Sequence, residues 1–297
     1  MAWLLHRMQS TKSKNVRAAF LMMFAMVLLS TNDAFMKLSS EHLGIGQMLF
    51  IRGAFAVTVF SIAIRLTGRP IINRAARSKW VVLRALCECA ITICFISGLS
   101  LLPIATASTL AWTSPMFLAV VAAVVLKENV TLRRWLVVLI GFAGVVLITN
   151  PASEEFSLAM LLPLAAAALI SVRDLVTRRL DPGLHSLYVT WTTLVAVTIA
   201  GFLISFLDWK PVALTQIIWL AASAMFLSSA YFFQIRAVRL GELSFVAPFS
   251  YTGILAAVFY GFVVWSDLPG PTMILGILLV MSSGLYILSH QATSPAR

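Results

Sequence analysis

Ten apolar runs, most of them close to twenty residues long, recur along the 297-residue chain, and no other feature narrows its fold so far. About 20 apolar residues is the length an α-helix needs to cross a bilayer. Inside hydrocarbon each backbone N–H and C=O must be satisfied within its own segment, so such runs become helices. They cover about residues 16–38, 46–66, 79–98, 103–126, 135–149, 156–180, 184–207, 212–237, 242–265 and 272–289. Charged residues make up 11% of the chain and hydrophobic ones 60%, against about 25% charged in a soluble domain. The expectation is an all-α membrane protein with ten transmembrane helices. The first run follows a lead containing Arg7, Lys12 and Lys14, a flank that suits a secretory signal. It continues to Leu38 without a small-x-small exit site, so it reads as a retained span.

Charge placement sets the orientation. The net charge of +11 would suit nucleic acid if the bases shared one face. Instead they fall in alternate gaps. With the N-terminus in the cytoplasm, the inner side holds Arg7, Lys12, Lys14 and Arg17, then Arg65, Arg69, Arg74, Arg77, Lys79 and Arg84. Lys127, Arg133, Arg134, Arg178, Arg179, Arg236, Arg239 and Arg297 fall on the same side. The outer side holds Lys37 and Lys210 beside Glu41, Glu154, Glu155, Asp208 and Asp267. This is the positive-inside pattern of a membrane protein with both termini in the cytoplasm. Its partners are the lipid bilayer and a small molecule, not nucleic acid. Lipid-facing and partner-facing apolar surfaces look alike, so the sequence sets no oligomeric state.

The chain also repeats. Ser30-Thr-Asn-Asp33-Ala-Phe-Met-Lys37 is echoed by Ser171-Val-Arg-Asp174-Leu-Val-Thr-Arg178, with serine, acid and base all displaced by 141 residues. Glu128 and Asp267 follow the fourth and ninth runs, and Gly144 and Gly284 lie in the fifth and tenth, at offsets of 139 and 140. Five runs repeat as five, and an odd number forces the second copy to enter the membrane upside down. Inverted repeats are the architecture of many secondary transporters. The expected organisation is a cytoplasmic segment 1–15, a first five-helix repeat 16–149, a linker 150–155, a second, inverted repeat 156–289 and a tail 290–297.

Two stretches carry more polarity than lipid contact allows. Ile104–Pro115 holds Ser108, Trp112 and four other Ser/Thr hydroxyls before its proline; Leu243–Gly253 holds Pro248 and Tyr251 at the corresponding place. Proline-interrupted spans in matching positions point to a central substrate site, although small hydroxylated residues also serve close helix packing. Trp112, Tyr188, Trp191, Tyr231, Gln234 and Tyr251 are rings or amides with a polar handle inside spans. Arg52 lies about two turns into the second span, where a charge should face protein or water and have a partner. Asp33, next to Asn32, is one candidate partner, and a substrate carboxylate is the other. Asp33 and Lys37 lie one turn apart and could form a solvated pair; so could Arg84 and Glu88. Asp33 and Glu88 are the acids that proton coupling would use. A wall of rings, amides and hydroxyls with few charges suits a small amphipathic solute, and suits a bare ion or a phosphate-rich nucleotide less well.

Other chemistry finds no support. There is no phosphate-binding glycine loop, so no ATPase action by the chain and no ATPase subunit is implied. No zinc-ligand spacing or nucleophile motif is present, and no cofactor or metal is expected. Cys87, Cys89 and Cys94 fall in one apolar run and read as packing residues. The rival classes, a channel or a membrane enzyme, have less use for an inverted repeat.

The block P-I-A-T-A-S-T-L-A-W-T-S-P-M-F-L, followed by V-V-L-K-E-N-V-T-L-R-R-W and G-F-A-G-V-V-L-I, resembles the EamA-type permeases of the drug/metabolite transporter superfamily. The family's cytoplasmic-side glutamate and following glycines fall on Glu128, Gly141 and Gly144; in the second copy Asp267 stands in place of the glutamate and faces outward by the charge count. The resemblance spans about Val16–Ser289 and is similar to that of the YddG-like exporters of aromatic and other neutral amino acids. It implies a multi-pass carrier of the bacterial inner membrane that exports small metabolites by alternating access. The substrate wall implied includes Trp112, Tyr231, Gln234 and Tyr251. Other members handle purines, cofactors, drugs or sugars, which is the alternative reading of the substrate.

Overall fold

The structure, a computed structural model, describes residues 2–68, 70, 78–125, 131–150, 156–177, 179–181, 183–241 and 243–291. Glu128, Arg178, the basic gap between Gly68 and Ser78 apart from Pro70, most of the 150–155 linker and the final six residues lie outside the described residues. Every regular element described is helical: α1 (Ala2–Ser40), α2 (Ile45–Leu66), α3 (Lys79–Leu101), α4 (Ile104–Ala111), α5 (Ser114–Val125), α6 (Leu132–Thr149), α7 (Leu161–Thr177), α8 (Ser186–Ser205), α9 (Leu214–Leu240), α10 (Leu243–Val246), α11 (Thr252–Trp265) and α12 (Pro271–Gln291). Short 3-10 turns at Leu158–Met160 and Ala247–Tyr251 lead into α7 and α11.

Eight helical segments, from Lys14–Ser40 to Pro248–Trp265, are long and apolar enough to cross a membrane. Two more apolar helices, Trp135–Thr149 and Pro271–Ile287, are shorter. Phe20, Phe24, Leu203, Phe232, Phe259 and Phe262 stand exposed on the outer faces, as side chains do when lipid is the solvent. The chain is therefore a multi-pass membrane protein.

α1 runs unbroken from Ala2 to Ser40, through the basic lead and the first span. Its Leu, Met, Arg, Lys and Gln residues are good helix formers and no Gly or Pro interrupts them. Two other spans are broken where proline requires it. Between α4 and α5, Pro115 has no N–H to return to the preceding turn. The chain tightens there, Thr113 N–H turning to the Leu110 carbonyl at 3.2 Å and the Thr113 hydroxyl to the same oxygen at 2.6 Å. Pro248 has the same effect between α10 and α11, within the second 3-10 turn.

Helices pack in long pairs: α1 on α9, α2 on α8, α3 on α7, α6 on α12, and α4 on α11. Glycine sets the closest of these approaches. A Cβ on Gly144 of α6 would stand 2.8 Å from the Gly276 carbonyl of α12, and a Cβ on Gly276 would stand 2.8 Å from the Gly144 carbonyl. In lipid, where apolar burial does not drive helices together, such backbone contact supplies dispersion energy that larger residues would forfeit. Gln47 at the start of α2 fixes one end of the bundle: its amide N–H donates to the Lys210 carbonyl at 2.7 Å and its oxygen accepts from Lys210 N–H at 3.2 Å.

Candidate functional site

The two broken spans meet. Trp112, at the α4 break, faces Tyr251, at the α10–α11 break, with ring centroids 5.8 Å apart. The Tyr251 hydroxyl donates to the Trp112 carbonyl at 3.3 Å across a sequence separation of 139 residues. Tyr251 is only 1% exposed and its hydroxyl fills the space that a side chain at Gly284 would need. It thus backs Trp112 from within the core, while Trp112 keeps part of its surface free. One turn before Trp112, Ser108 Oγ is, among the described buried side-chain polar atoms, the one without a hydrogen-bond partner.

Two serines tie these breaks to the opposite halves of the chain. Ser30 of α1 donates to the Gly253 carbonyl at 2.9 Å. Ser171 of α7 donates to the Ser114 carbonyl, also at 2.9 Å. The donors are the serines of the 141-residue echo, and the acceptors are displaced by 139 residues. Repeated residues therefore make the same contact twice.

The charged residues divide into two clusters. The first joins α1, α2 and α9. Asn32 Oδ1 accepts from the Ser223 hydroxyl at 2.7 Å and from Arg52 Nη1 at 3.5 Å, while Asn32 Nδ2 donates to Asp33 Oδ1 at 2.9 Å. Arg52 is 7% exposed and Asn32 2%. The expected Arg52–Asp33 partnership is thus indirect: the Asn32 amide stands between them. Lys37 does not pair with Asp33 either. Its ammonium donates to the Leu99 and Leu102 carbonyls at the end of α3 and lies over the Trp265 ring at 5.5 Å. The unpaired carbonyls at a helix C-terminus carry partial negative charge and attract a cation.

The second cluster joins α3, α7 and α8. Arg173 Nη1 meets Glu88 Oε2 at 3.1 Å and Arg173 Nη2 meets Asp174 Oδ1 at 2.7 Å. Arg84, expected as the partner of Glu88, is the more distant cation at 4.0 Å. It spends its donors on the hydroxyls of Thr177 at 3.2 Å and Thr193 at 2.8 Å. Under the 141-residue offset Asn32-Asp33 falls on Arg173-Asp174 and Arg52 on Thr193, and at 139 residues Arg84 falls on Ser223. Because the start of α2 sits at the end of α8 and the α8–α9 loop, the clusters lie toward opposite ends of the bundle. Tyr231 of α9 stands in electrostatic reach of Arg52 and also of Glu88, Arg173 and Arg84.

The remaining predicted residues make other contacts. Trp191 donates its indole N–H to Ser61 at 2.8 Å and packs with Tyr231 on the Phe60–Leu227 core patch. Tyr188 is buried against Ile64, its hydroxyl donating to the Pro70 carbonyl at 2.9 Å. Gln234 is half-buried one turn beyond Tyr231. Ser223 was missed by sequence reasoning because an isolated serine in a span carries no signal of its own. Among the described residues no group of three or more His, Cys, Asp and Glu side chains is placed to hold a metal ion.

Comparison with known proteins agrees with this architecture. Residues 16–150 match the EamA-like transporter family. The S-adenosylmethionine uptake transporter of Rickettsia prowazekii is 21% identical over 282 residues, 92% of each chain. The riboflavin transporter of Brucella anthropi is 28% identical over 205 residues, 67% of this chain and 72% of that protein. The pseudopaline exporter of Pseudomonas aeruginosa is 22% identical over 254 residues, 85% of this chain and 89% of that protein. A crystal structure covering 94% of this chain and 99% of its own superimposes with a TM-score of 0.63 at 18% identity, which is a likeness of fold. Residues 16–150 thus resemble the EamA-like transporter family, and this all-helical multi-pass chain, matched along most of its length by carriers of small molecules, is a secondary transporter of small metabolites.

Proposed function

We propose that this chain works by alternating access, as ten spans in two inverted five-helix repeats with both termini in the cytoplasm, and that it exports a small amphipathic metabolite. One observation carries the reading: Ser30 and Ser171, an echoed pair, each donate at 2.9 Å to the break of a span in the other repeat. Helix packing supports it. Counting α4 with α5 and α10 with α11 as single spans, a five-place shift turns the α1–α9 pair into α7–α3 and returns the α2–α8, α6–α12 and α4–α11 pairs to themselves. Halves related in this way can exchange conformations, so that a central site opens first to one side and then to the other.

The ring face of Trp112, the phenol of Tyr231 and the amide of Gln234 favour a solute with a flat or aliphatic part and a polar end. Neutral aromatic amino acids are the simplest such solutes. The named substrates of the relatives, S-adenosylmethionine, riboflavin and pseudopaline, favour the broader alternative of a metabolite larger than a free amino acid. Counterflow in liposomes holding the purified protein tests both. Transient tracer accumulation against a preloaded solute is the expected result, and the solute that produces it selects the class. Downhill flux without counterflow would make the protein a channel and overturn the alternating-access reading.

A further inference from the structure

The two charged clusters occupy corresponding places but are built differently. In the second, each charge has an opposite charge in direct contact: Glu88 with Arg173 at 3.1 Å and Asp174 with Arg173 at 2.7 Å. In the first, Arg52 and Asp33 make no ion pair. Arg52 reaches only a neutral amide oxygen, at 3.5 Å, and Asp33 only the amide N–H of the same residue, at 2.9 Å. Asn32 cannot swing away, because Ser223 holds its oxygen at 2.7 Å. A charge at membrane depth without a partner costs several kcal/mol, and direct pairing of Arg52 with Asp33 would remove much of that cost. The fold instead places a clamped amide between them.

We propose that Arg52 and Asp33 bind the zwitterionic head group of the carried metabolite, the guanidinium taking its carboxylate and the Asp33 carboxylate its ammonium, with Asn32 as the spacer that keeps the two from neutralising each other. An α-amino-acid head group offers opposite charges one carbon apart. It therefore bridges such a gap with charge-assisted hydrogen bonds at both ends, and a guanidinium can grip the carboxylate in bidentate fashion. Because the head group is neutral overall, the loaded site carries the same net charge as the empty one. This inference rests on the carrier reading and names the substrate class: amino acids and metabolites that keep an amino-acid head group. Tyr231, in electrostatic reach of Arg52, is placed to orient the remainder of the solute.

The test uses the full chain in liposomes with matched solutes. L-phenylalanine is compared with phenethylamine and 3-phenylpropionate, which lack one charge each. S-adenosylmethionine is compared with 5′-methylthioadenosine, which lacks the head group, and riboflavin serves as a solute with no zwitterion. The expected result is counterflow with at least one zwitterion and none with its truncated counterparts. Arg52→Gln and Asp33→Asn should each raise its KM about tenfold or more, with partial rescue in Arg52→Lys. Thermal stabilisation of the detergent-purified protein by the same zwitterion should be lost in both variants, and size-exclusion profiles identify any variant that has not folded. Counterflow of riboflavin or methylthioadenosine without any zwitterion, or unchanged KM in folded Arg52→Gln, overturns this inference and leaves the carrier reading standing. If no solute gives counterflow the carrier reading falls, and the absence of stabilisation by any zwitterion then overturns the site as well.

Discussion

The α6–α12 contact makes a quantitative test of the packing argument. Gly144→Ala places a methyl group 2.8 Å from the Gly276 carbonyl, and Gly276→Ala places one 2.8 Å from the Gly144 carbonyl. Ordinary contact begins near 3.4 Å, so relief requires a shift of 3.4 − 2.8, or 0.6 Å, between two backbones. No flexible side chain can absorb it on the carbonyl side. Overpacking of this kind costs about 1–3 kcal/mol, and in a bilayer no compensating hydrophobic drive holds the helices together. Each single variant should lose that amount. The double variant should lose less than the sum, because one separation relieves both contacts. Gly270→Ala is the control, since nothing lies within 4 Å of its Cβ position, and it should stay within about 0.5 kcal/mol of the parent. Equilibrium unfolding in mixed micelles of increasing sodium dodecyl sulfate, followed by helical circular dichroism, measures all four proteins. Single variants indistinguishable from Gly270→Ala would refute the claim that glycine sets this crossing, and strict additivity would refute the claim of one shared gap.

Further outcomes follow from the other contacts. Lys37→Met removes the cation from the Leu99 and Leu102 carbonyls and should cost about 1.5–3 kcal/mol in the same unfolding assay, the range for hydrogen bonds to charged groups. Glu88→Gln should cost about 1–2 kcal/mol, between the values for exposed and buried pairs, and a Glu88→Gln/Arg173→Gln double variant should recover part of it. Ser223→Ala frees the Asn32 amide; it should raise the KM for the carried solute with the unfolding midpoint little changed. Trp112→Ala should lower transport in liposomes at unchanged protein incorporation, and unchanged saturation kinetics would remove Trp112 from the site.

What the sequence discloses tracks what the bilayer enforces. The spans are legible because a helix in hydrocarbon has no choice of structure, and the breaks are legible because Pro115 and Pro248 cannot complete a helical turn. The 141-residue echo is legible because Ser30 and Ser171 perform one task at two places. The charge partners are not. Arg52 and Asp33 are within a plausible pairing distance along neighbouring spans, and nothing in their spacing says that Asn32 will stand between them. That outcome depends on Ser223, 191 residues away, in a helix full of small polar residues that otherwise pack. Lys37 misleads for the same reason: its one-turn spacing from Asp33 is visible, whereas the helix end that attracts it lies 62–65 residues further along.

The Trp112–Tyr251 pair has a consequence for how substitutions act. In the proposed alternating-access mechanism, two residues in corresponding positions of the exchanging halves that touch each other sit on the axis relating those halves. Anything on that axis belongs equally to the inward- and outward-facing forms. Substitutions of this pair should therefore change how fast the forms interconvert more than their ratio. In the same mechanism Ser30 and Ser171 lie off the axis and exchange surroundings, so removing one hydroxyl should tilt the populations one way and removing the other should tilt them back. The sign of the bias, not its size, then reports which half a residue belongs to.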